Sequence, residues 1–159
     1  MSRNKIVLLT GSLLYLLSQP LFAADPDAYM GTWLTQDGDS KITLFRCGKD
    51  TNGDGKLDNA CGKITWLKEP NYPAGDQEAG KPKHDRNNPN ASKRSRPIQG
   101  MFLVWGFQWD GSKWAGGNIY NPTDGKTYSC FLDLQSANKL LVRGFVGVSF
   151  LGKTVYWSR

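Results

Sequence analysis

The feature that most constrains the fold of this chain is a series of short apolar segments separated by turn residues. Within the segments hydrophobic and polar residues alternate, which is the period of a half-buried β-strand. Asp37-Gly38, Asp110-Gly111 and Asp124-Gly125 lie between segments and are typical of tight turns. No window has a convincing helical period. The sequence predicts eight strands, at residues 31–37, 41–47, 62–68, 99–107, 112–120, 126–134, 138–146 and 150–158.

Most of these predicted strands are joined by short links, which favours an antiparallel meander. Closing such a meander into a barrel removes the edges that would otherwise pair with other chains. We therefore expect an all-β chain that forms a single eight-stranded antiparallel up-and-down β-barrel. Barrels of this size are either filled by their own side chains or hold one small ligand. The strand pattern does not distinguish a filled interior from one that holds a ligand.

The N-terminal residues have the order of a secretory signal peptide. Arg3 and Lys5 precede an apolar stretch at residues 6–17, and the small residues Ala23 and Ala24 follow. The alternative is a membrane anchor, which is disfavoured because a spanning helix needs about 20 apolar residues. We expect a signal peptide at residues 1–23 and one domain at residues 24–159. The protein would then be periplasmic or secreted, and not membrane-spanning.

The chain has three cysteines, and export would place them in an oxidising compartment. Cys47 and Cys61 flank a polar loop between two predicted strands, so we predict that they form a disulfide. Cys130 alternates with apolar residues on its strand. It is therefore expected to be a small buried side chain and not a reactive thiol.

The net charge is moderately basic, with 20 Lys and Arg against 14 Asp and Glu. Many of the basic residues lie between positions 81 and 96, a pattern that would suit nucleic acid. The predicted export and the lack of a nucleic-acid-binding motif argue against that partner. A solvated loop and a patch for anionic envelope components are the two interpretations left open.

The first predicted strand opens with Gly31-Thr32-Trp33, which resembles the start of lipocalin and fatty-acid-binding-protein barrels. In those barrels the Trp plugs the closed end and an Arg of the last strand packs across it. The resemblance implies that Arg159, or alternatively Arg143, stacks on Trp33. Cation–π attraction gives such a contact a physical basis.

A longer series of motifs extends over the rest of the chain. It comprises GTWLT (31–35), ITLFRCG (42–48), CGKITWL (61–67), RSRPIQG (94–100), DGKTY (124–128), LLVRGF (140–145) and LGKTVYWSR (151–159). In this order the motifs resemble a bacterial family of small exported proteins catalogued only as a domain of unknown function. That resemblance implies a lipocalin-like, or calycin-like, β-barrel. The family's molecular activity is not established, so the resemblance implies no function.

Four polar residues of the long segment at 69–98 belong to the same pattern, namely Asp85, Asn88, Arg94 and Arg96. One interpretation is structural: Asp85 and Asn88 cap a turn, and an Arg pairs with Asp85 to pin the segment across a barrel end. The other is functional: the residues form a polar rim at the barrel mouth. An Arg fork there would hold a carboxylate or phosphate head group.

Residues 50–58 resemble the calcium loop of EF-hand, dockerin and thrombospondin type 3 sites. Hard oxygen ligands at alternate positions wrap one Ca²⁺, and a glycine at the sixth position makes the sharp turn. The predicted ligands are Asp50, Asn52, Asp54, the Lys56 carbonyl and Asp58. Position 12 of the loop is Cys61 where a bidentate carboxylate is expected, so the site would be weak. The alternative is a polar hairpin loop without metal.

The segment Met101–Phe107 is apolar on both faces of its predicted strand. One face must line the barrel interior. The other must be covered by the long segment, by a second protomer or by a partner. The sequence does not decide among these three.

No nucleophile-elbow, HExxH or CxxC motif occurs, and the one histidine, His84, lies in a predicted loop. We therefore expect a binding protein and not an enzyme. The favoured hypothesis is non-covalent binding of a small, partly apolar ligand in the barrel. The predicted lining residues are Trp66, Phe102, Trp105, Tyr128 and Phe145, with Asp85, Asn88, Arg94 and Arg96 at the mouth. The alternative is a calcium-clipped cell-envelope interaction module with a filled barrel, which acts as a homodimer or with an envelope partner.

Overall fold

A computed structural model describes residues 25–159 of the chain. The predicted signal peptide, residues 1–23, lies outside the described residues. Within this range two short 3-10 turns occur, at Pro26–Tyr29 and Ala91–Lys93. The eight strands are β1 (Gly31–Leu34), β2 (Ser40–Cys47), β3 (Asn59–Leu67), β4 (Phe102–Trp109), β5 (Trp114–Asn121), β6 (Lys126–Ser136), β7 (Lys139–Phe145) and β8 (Gly152–Ser158). Within residues 25–159 no helix has the length and apolarity needed to cross a bilayer.

The strands form a closed barrel in sequence order, and every neighbouring pair is antiparallel. This confirms the predicted eight-stranded up-and-down barrel. Closure between β1 and β8 is narrow, because the paired register there consists of Leu34 opposite Ser158. The side chain of Gln36 extends the closure by accepting a hydrogen bond from the Tyr156 amide at 2.9 Å.

One end of the barrel is sealed by aromatic side chains and by the C-terminal arginine. The Trp33 indole is fully buried and donates to the Tyr29 carbonyl at 2.8 Å. The guanidinium carbon of Arg159 lies 4.2 Å from the centroid of the Trp33 ring. The same guanidinium donates to the carbonyls of Met30 and Ala28, both at 2.9 Å. The predicted stacking partner of Trp33 is therefore Arg159, and Arg143 is not the residue that covers it.

The half of the barrel next to this sealed end is filled by large apolar side chains. Phe107, Trp114, Leu132 and Leu140 are all fully buried there. Space for the Phe107 ring exists because Gly117 faces it without a side chain: a Cβ at that glycine would lie 2.3 Å from Phe107 Cδ1. Burying a large apolar side chain contributes roughly 1.5–3 kcal/mol, so this layer is a major source of stability.

Strand β4 does not keep the simple alternation that its apolar sequence suggests. Its register with β3 shifts between Gly62 and Lys63, which is a β-bulge. The shift allows neighbouring Leu103 and Val104 both to be buried, whereas Phe102 remains 43% exposed. In residues 25–159 the outer side of Phe102 is thus not covered by the long segment, and Trp105 is only partly buried against the core.

Cys47 and Cys61 form the predicted disulfide, with their Cα atoms 5.9 Å apart. The two residues lie on paired strands β2 and β3 and close the polar loop between them. Cys130 is a free, buried cysteine. Burial raises the pKa of its thiol to about 12, which makes the side chain unreactive as a nucleophile at neutral pH.

Candidate functional site

The end of the barrel opposite Trp33 is open and leads into a cavity of about 790 Å³. Its rim consists of the β1–β2, β5–β6 and β7–β8 turns together with part of the segment 68–101. Small-molecule sites in proteins are typically about 300–1,000 Å³ and mainly apolar. The cavity therefore has the size of a site for one small molecule.

The walls of this cavity are apolar over their deeper part. They are formed by Ile64, Leu67, Leu103, Ile119, Val142, Val155 and Trp157. Gly144 lies on the same wall, and a Cβ there would only touch Ile119 and Tyr128 at ordinary distances of 3.4 and 3.7 Å. The missing side chain at Gly144 thus leaves room in the half of the barrel next to the open end. The half next to the sealed end has no such room.

Polar groups are confined to the rim. The Tyr128 hydroxyl donates to Asp124 Oδ2 at 2.6 Å. This hydrogen bond lowers the pKa of Asp124 and raises the pKa of Tyr128. Lys153 lies opposite Gly144 in the β7–β8 pairing and also borders the cavity. A molecule bound here would meet apolar walls below and charged groups at the entrance.

Part of the long segment forms one side of the rim. Asn87 donates to the carbonyls of Pro122 and Thr123 at 3.3 and 3.0 Å, which joins the segment to the β5–β6 turn. Gly125 is needed at this junction, because a Cβ there would lie 2.0 Å from the Asn87 carbonyl oxygen. Asn87 is not predictable from the sequence, because nothing in its local pattern distinguishes it from other loop residues.

His84 also lies on the rim, and both of its ring nitrogens face hydrogen-bond acceptors. Nδ1 lies 2.6 Å from the Arg94 carbonyl, and Nε2 lies 2.7 Å from Glu78 Oε2. Since neither partner can donate, the doubly protonated imidazolium satisfies both contacts. The Arg94 carbonyl, followed by the Glu78 carboxylate, raises the pKa of His84.

Arg86 extends the same side of the rim. It forms a bidentate pair with Asp76 at 2.9 and 2.8 Å, and its guanidinium carbon lies 4.2 Å from the Tyr72 ring centroid. The pairing lowers the pKa of Asp76 to about 2. This part of the segment is therefore held in place by its own side chains.

The five residues predicted to line the barrel have different outcomes. Tyr128 and Phe145 border the cavity. Trp66 and Phe102 instead lie on the outer surface, 39% and 43% exposed, where Lys41 and Lys63 cover their rings. The reason is the β-bulge at Lys41/Ile42 and the one at Gly62/Lys63, each of which shifts the side-chain alternation. Trp105 is half-buried and is not part of the cavity wall.

The predicted polar mouth residues are joined by hydrogen bonds within the long segment, and of the four only Asp85 and Asn88 are buried. The Asp85 carboxylate, which is 0% exposed, accepts hydrogen bonds from the Tyr120 hydroxyl at 2.6 Å, from Asn88 at 2.7 Å and from Arg96 at 2.8 Å. Arg94 donates to the Asn88 carbonyl at 2.8 Å. The pair of Arg96 with Asp85 is the contact that the structural interpretation predicted. Neither arginine is among the residues that line the cavity, and the Nε of each donates within the segment itself.

In the loop at 50–58, carboxylates accept hydrogen bonds from the loop's own backbone amides. Asp50 accepts hydrogen bonds from the amides of Gly53 and Gly55 at 2.7 and 3.0 Å. Asp58 accepts from the Thr51 amide at 2.7 Å and from the Thr51 hydroxyl. No group of three or more His, Cys, Asp or Glu side chains in the described part of the chain is arranged to hold a metal ion.

A carboxylate has more acceptor positions than these hydrogen bonds occupy, so Asp50, Asn52, Asp54, the Lys56 carbonyl and Asp58 stay the predicted ligands of the loop. Lys56 also pairs with Asp27, outside the loop. The calcium site stays a prediction of the sequence.

Comparisons with known proteins agree with the architecture. A family model described as "Uncharacterized protein conserved in bacteria (DUF2147)" matches residues 31–159. Among solved structures, the chain is similar to protein HP1028 of Helicobacter pylori, which is described as belonging to the lipocalin family. That similarity has a TM-score of 0.62 and 25% identity over 82% of this chain and 81% of the other. No curated protein gives a significant sequence match.

Proposed function

This chain belongs to the DUF2147 family of uncharacterized bacterial proteins, and from its open, lipocalin-like barrel we propose that it binds a small amphipathic molecule non-covalently. The observation that carries the proposal is the cavity of about 790 Å³ with apolar walls and a polar rim. A barrel filled along its whole length would have no such space. The cavity thus favours ligand binding over the filled-barrel alternative.

The apolar part of the ligand would lie against Ile119, Val142, Val155 and Trp157, with a polar head group at the rim. Removing apolar surface from water contributes about 25 cal/mol per Å², so the walls supply affinity and little selectivity. Selectivity would come from the few polar groups at the entrance, among them Lys153, Tyr128 and His84. The proposal includes no chemical step.

Export is the second part of the proposal. It is supported by the Cys47–Cys61 disulfide, since such bonds persist in oxidising compartments. The test is N-terminal sequencing of the protein recovered from the periplasm and the medium. A chain that begins at Ala24 supports export with cleavage, and a chain that keeps residues 1–23 in the cytoplasm contradicts it.

Ligand binding is tested with 1-anilinonaphthalene-8-sulfonate, whose fluorescence rises in apolar sites. We expect saturable binding that Val155→Phe weakens about tenfold or more, because the larger ring occupies space that a ligand needs. Leu57→Phe also introduces a ring, at an exposed position in the β2–β3 loop outside the cavity, and should leave the affinity unchanged. Native mass spectrometry of the purified protein would show a co-purified ligand directly. Equal affinity of both variants and the unmodified protein would contradict the proposal.

A further inference from the structure

The turn between β7 and β8 carries an exposed group of apolar side chains. Val146, Val148, Phe150 and Leu151 are 67%, 49%, 76% and 61% exposed. Single exposed apolar residues are ordinary, but a contiguous group of them marks an interaction site. We call this group the apolar tip.

The apolar tip is a turn whose backbone is fixed by hydrogen bonds and whose apolar side chains point outward. The Val146 amide donates to the Leu151 carbonyl at 3.3 Å, and the Leu151 amide donates to the Val148 carbonyl at 3.0 Å. Arg143 on β7 donates from Nε to the Ser149 carbonyl at 2.6 Å and from Nη1 to the Thr154 hydroxyl at 2.7 Å. These hydrogen bonds fix the backbone of the turn, and its hydrophobic side chains are left for another surface.

The hairpin that carries the apolar tip has two basic residues next to the tip. Arg143 donates to the Ser149 carbonyl within the tip, and Lys153 follows the tip at the start of β8. Lys139 and Arg159 lie at the sealed end of the barrel, and no Asp or Glu occurs from residue 134 to residue 159. The acidic residues at the mouth, Asp37, Asp39 and Asp124, lie on other turns. Apolar side chains flanked by basic ones are the composition that binds the interface of an anionic bilayer.

The apolar tip is also continuous with the cavity. Val146 and Leu151 belong both to the tip and to the cavity rim. A surface in contact with the tip would therefore lie beside the cavity mouth. This placement would suit a protein that exchanges an amphipathic molecule with a membrane, although docking itself requires no ligand and stands apart from the proposed function.

We propose that the apolar tip inserts into the headgroup region of an anionic phospholipid bilayer, with Arg143 and Lys153 beside the lipid phosphates. The competing occupant is a second copy of the chain. The lipid surface fits better, because two basic hairpins in contact would repel each other whereas lipid phosphates attract them.

The test is co-sedimentation of the purified chain with phosphatidylglycerol vesicles and with phosphatidylcholine vesicles. Phe150→Ser should weaken partitioning into anionic vesicles about tenfold or more, since burial of one Phe is worth at least a factor of ten. Phe102→Ser makes the same change on the barrel wall and should leave partitioning unchanged. Any vesicle binding by residues 6–17, in chains that keep them, is the same in the variants and the unmodified chain, so the difference between them reports the tip alone. Far-ultraviolet circular dichroism checks that both variants fold.

A second measurement locates the contact. Because Cys130 is buried and Cys47 is bonded to Cys61, Ser149→Cys gives one accessible thiol for an environment-sensitive dye. We expect blue-shifted emission on phosphatidylglycerol vesicles, and no shift for the dye on Ser112→Cys in the β4–β5 turn. Equal partitioning of Phe150→Ser and the unmodified chain would overturn the proposal. So would preference for phosphatidylcholine, or a dimer that Phe150→Ser dissociates without any vesicle binding.

Discussion

The phenolic oxygen of Tyr120 lies 2.6 Å from Oδ1 of Asp85, and this contact joins strand β5 to the long segment that borders the barrel mouth. Both side chains are buried, and Asn88 and Arg96 complete the set of donors to the carboxylate. Burial, together with the neighbouring Asp85, raises the pKa of the Tyr120 hydroxyl to about 12. The hydroxyl therefore stays protonated and continues to donate throughout the physiological range.

Tyr120→Phe removes this donor and leaves the buried carboxylate with one partner fewer. A buried polar group that loses a partner costs roughly 1–3 kcal/mol, so we expect the free energy of unfolding to fall by that amount in urea titrations. Tyr128→Phe is the matched control, because its hydroxyl donates to an exposed carboxylate on Asp124. An equal fall in the free energy of unfolding for the two variants would show that the buried hydrogen bond stabilises the fold no more than the exposed one.

Gly117→Ala is expected to destabilise the packed half of the barrel. Its Cβ would lie 2.3 Å from Phe107 Cδ1, so the ring or the strand must move, and overpacking of this kind costs roughly 1–3 kcal/mol. Gly144→Ala, whose Cβ has room at 3.4 Å, should cost much less. The double variant Gly117→Ala/Phe107→Leu should recover part of the loss. No recovery would argue against a clash with the ring. Thermal and urea unfolding give these values.

His84 should titrate above its ordinary pKa, because both ring nitrogens face acceptors. A group whose pKa is raised on folding stabilises the fold fully below its unfolded pKa and loses that contribution as the pH rises through the folded pKa. The segment at the mouth is thus expected to loosen as the pH rises from about 6.5 through the raised value.

Since the chain has one histidine, its imidazole resonances in NMR spectra report this pKa without overlap. Glu78→Gln should lower the pKa of His84, because an amide is a weaker acceptor than a carboxylate and carries no charge. A His84 pKa at or below the ordinary value would contradict the geometry.

Calcium is expected to raise the thermal midpoint of unfolding only at millimolar concentration, because Cys61 replaces the bidentate ligand of the loop. Asp54→Asn should remove the effect, whereas Asp110→Asn, in the turn between β4 and β5, should not. A midpoint that stays constant up to millimolar calcium would refute the predicted site. That result would leave the loop with the self-contained hydrogen bonds it has now.

Local patterns determined the architecture of this protein. Turn dipeptides and alternating residues are short-range signals, and the strands they predicted close into the barrel with ends shifted by a few residues. The resemblance of Gly31-Thr32-Trp33 to the start of lipocalin barrels implied that Arg159 or Arg143 stacks on Trp33, and Arg159 is the residue that does. The cysteines flanking one loop identified the disulfide. Each of these features follows from residue types at fixed places along the chain.

Only the tertiary structure decided which side chains face the inside and the outside of the barrel wall, and which residues form the mouth. Strand alternation predicts which residues share a face, but a single bulge reverses the assignment, and bulges depend on the pairing of two strands distant in sequence. Trp66 and Phe102 lie outside for this reason, and the cavity is lined by residues such as Ile119 and Val155. The role of Asp85 likewise depends on Tyr120, a partner 35 residues away that no local pattern could supply.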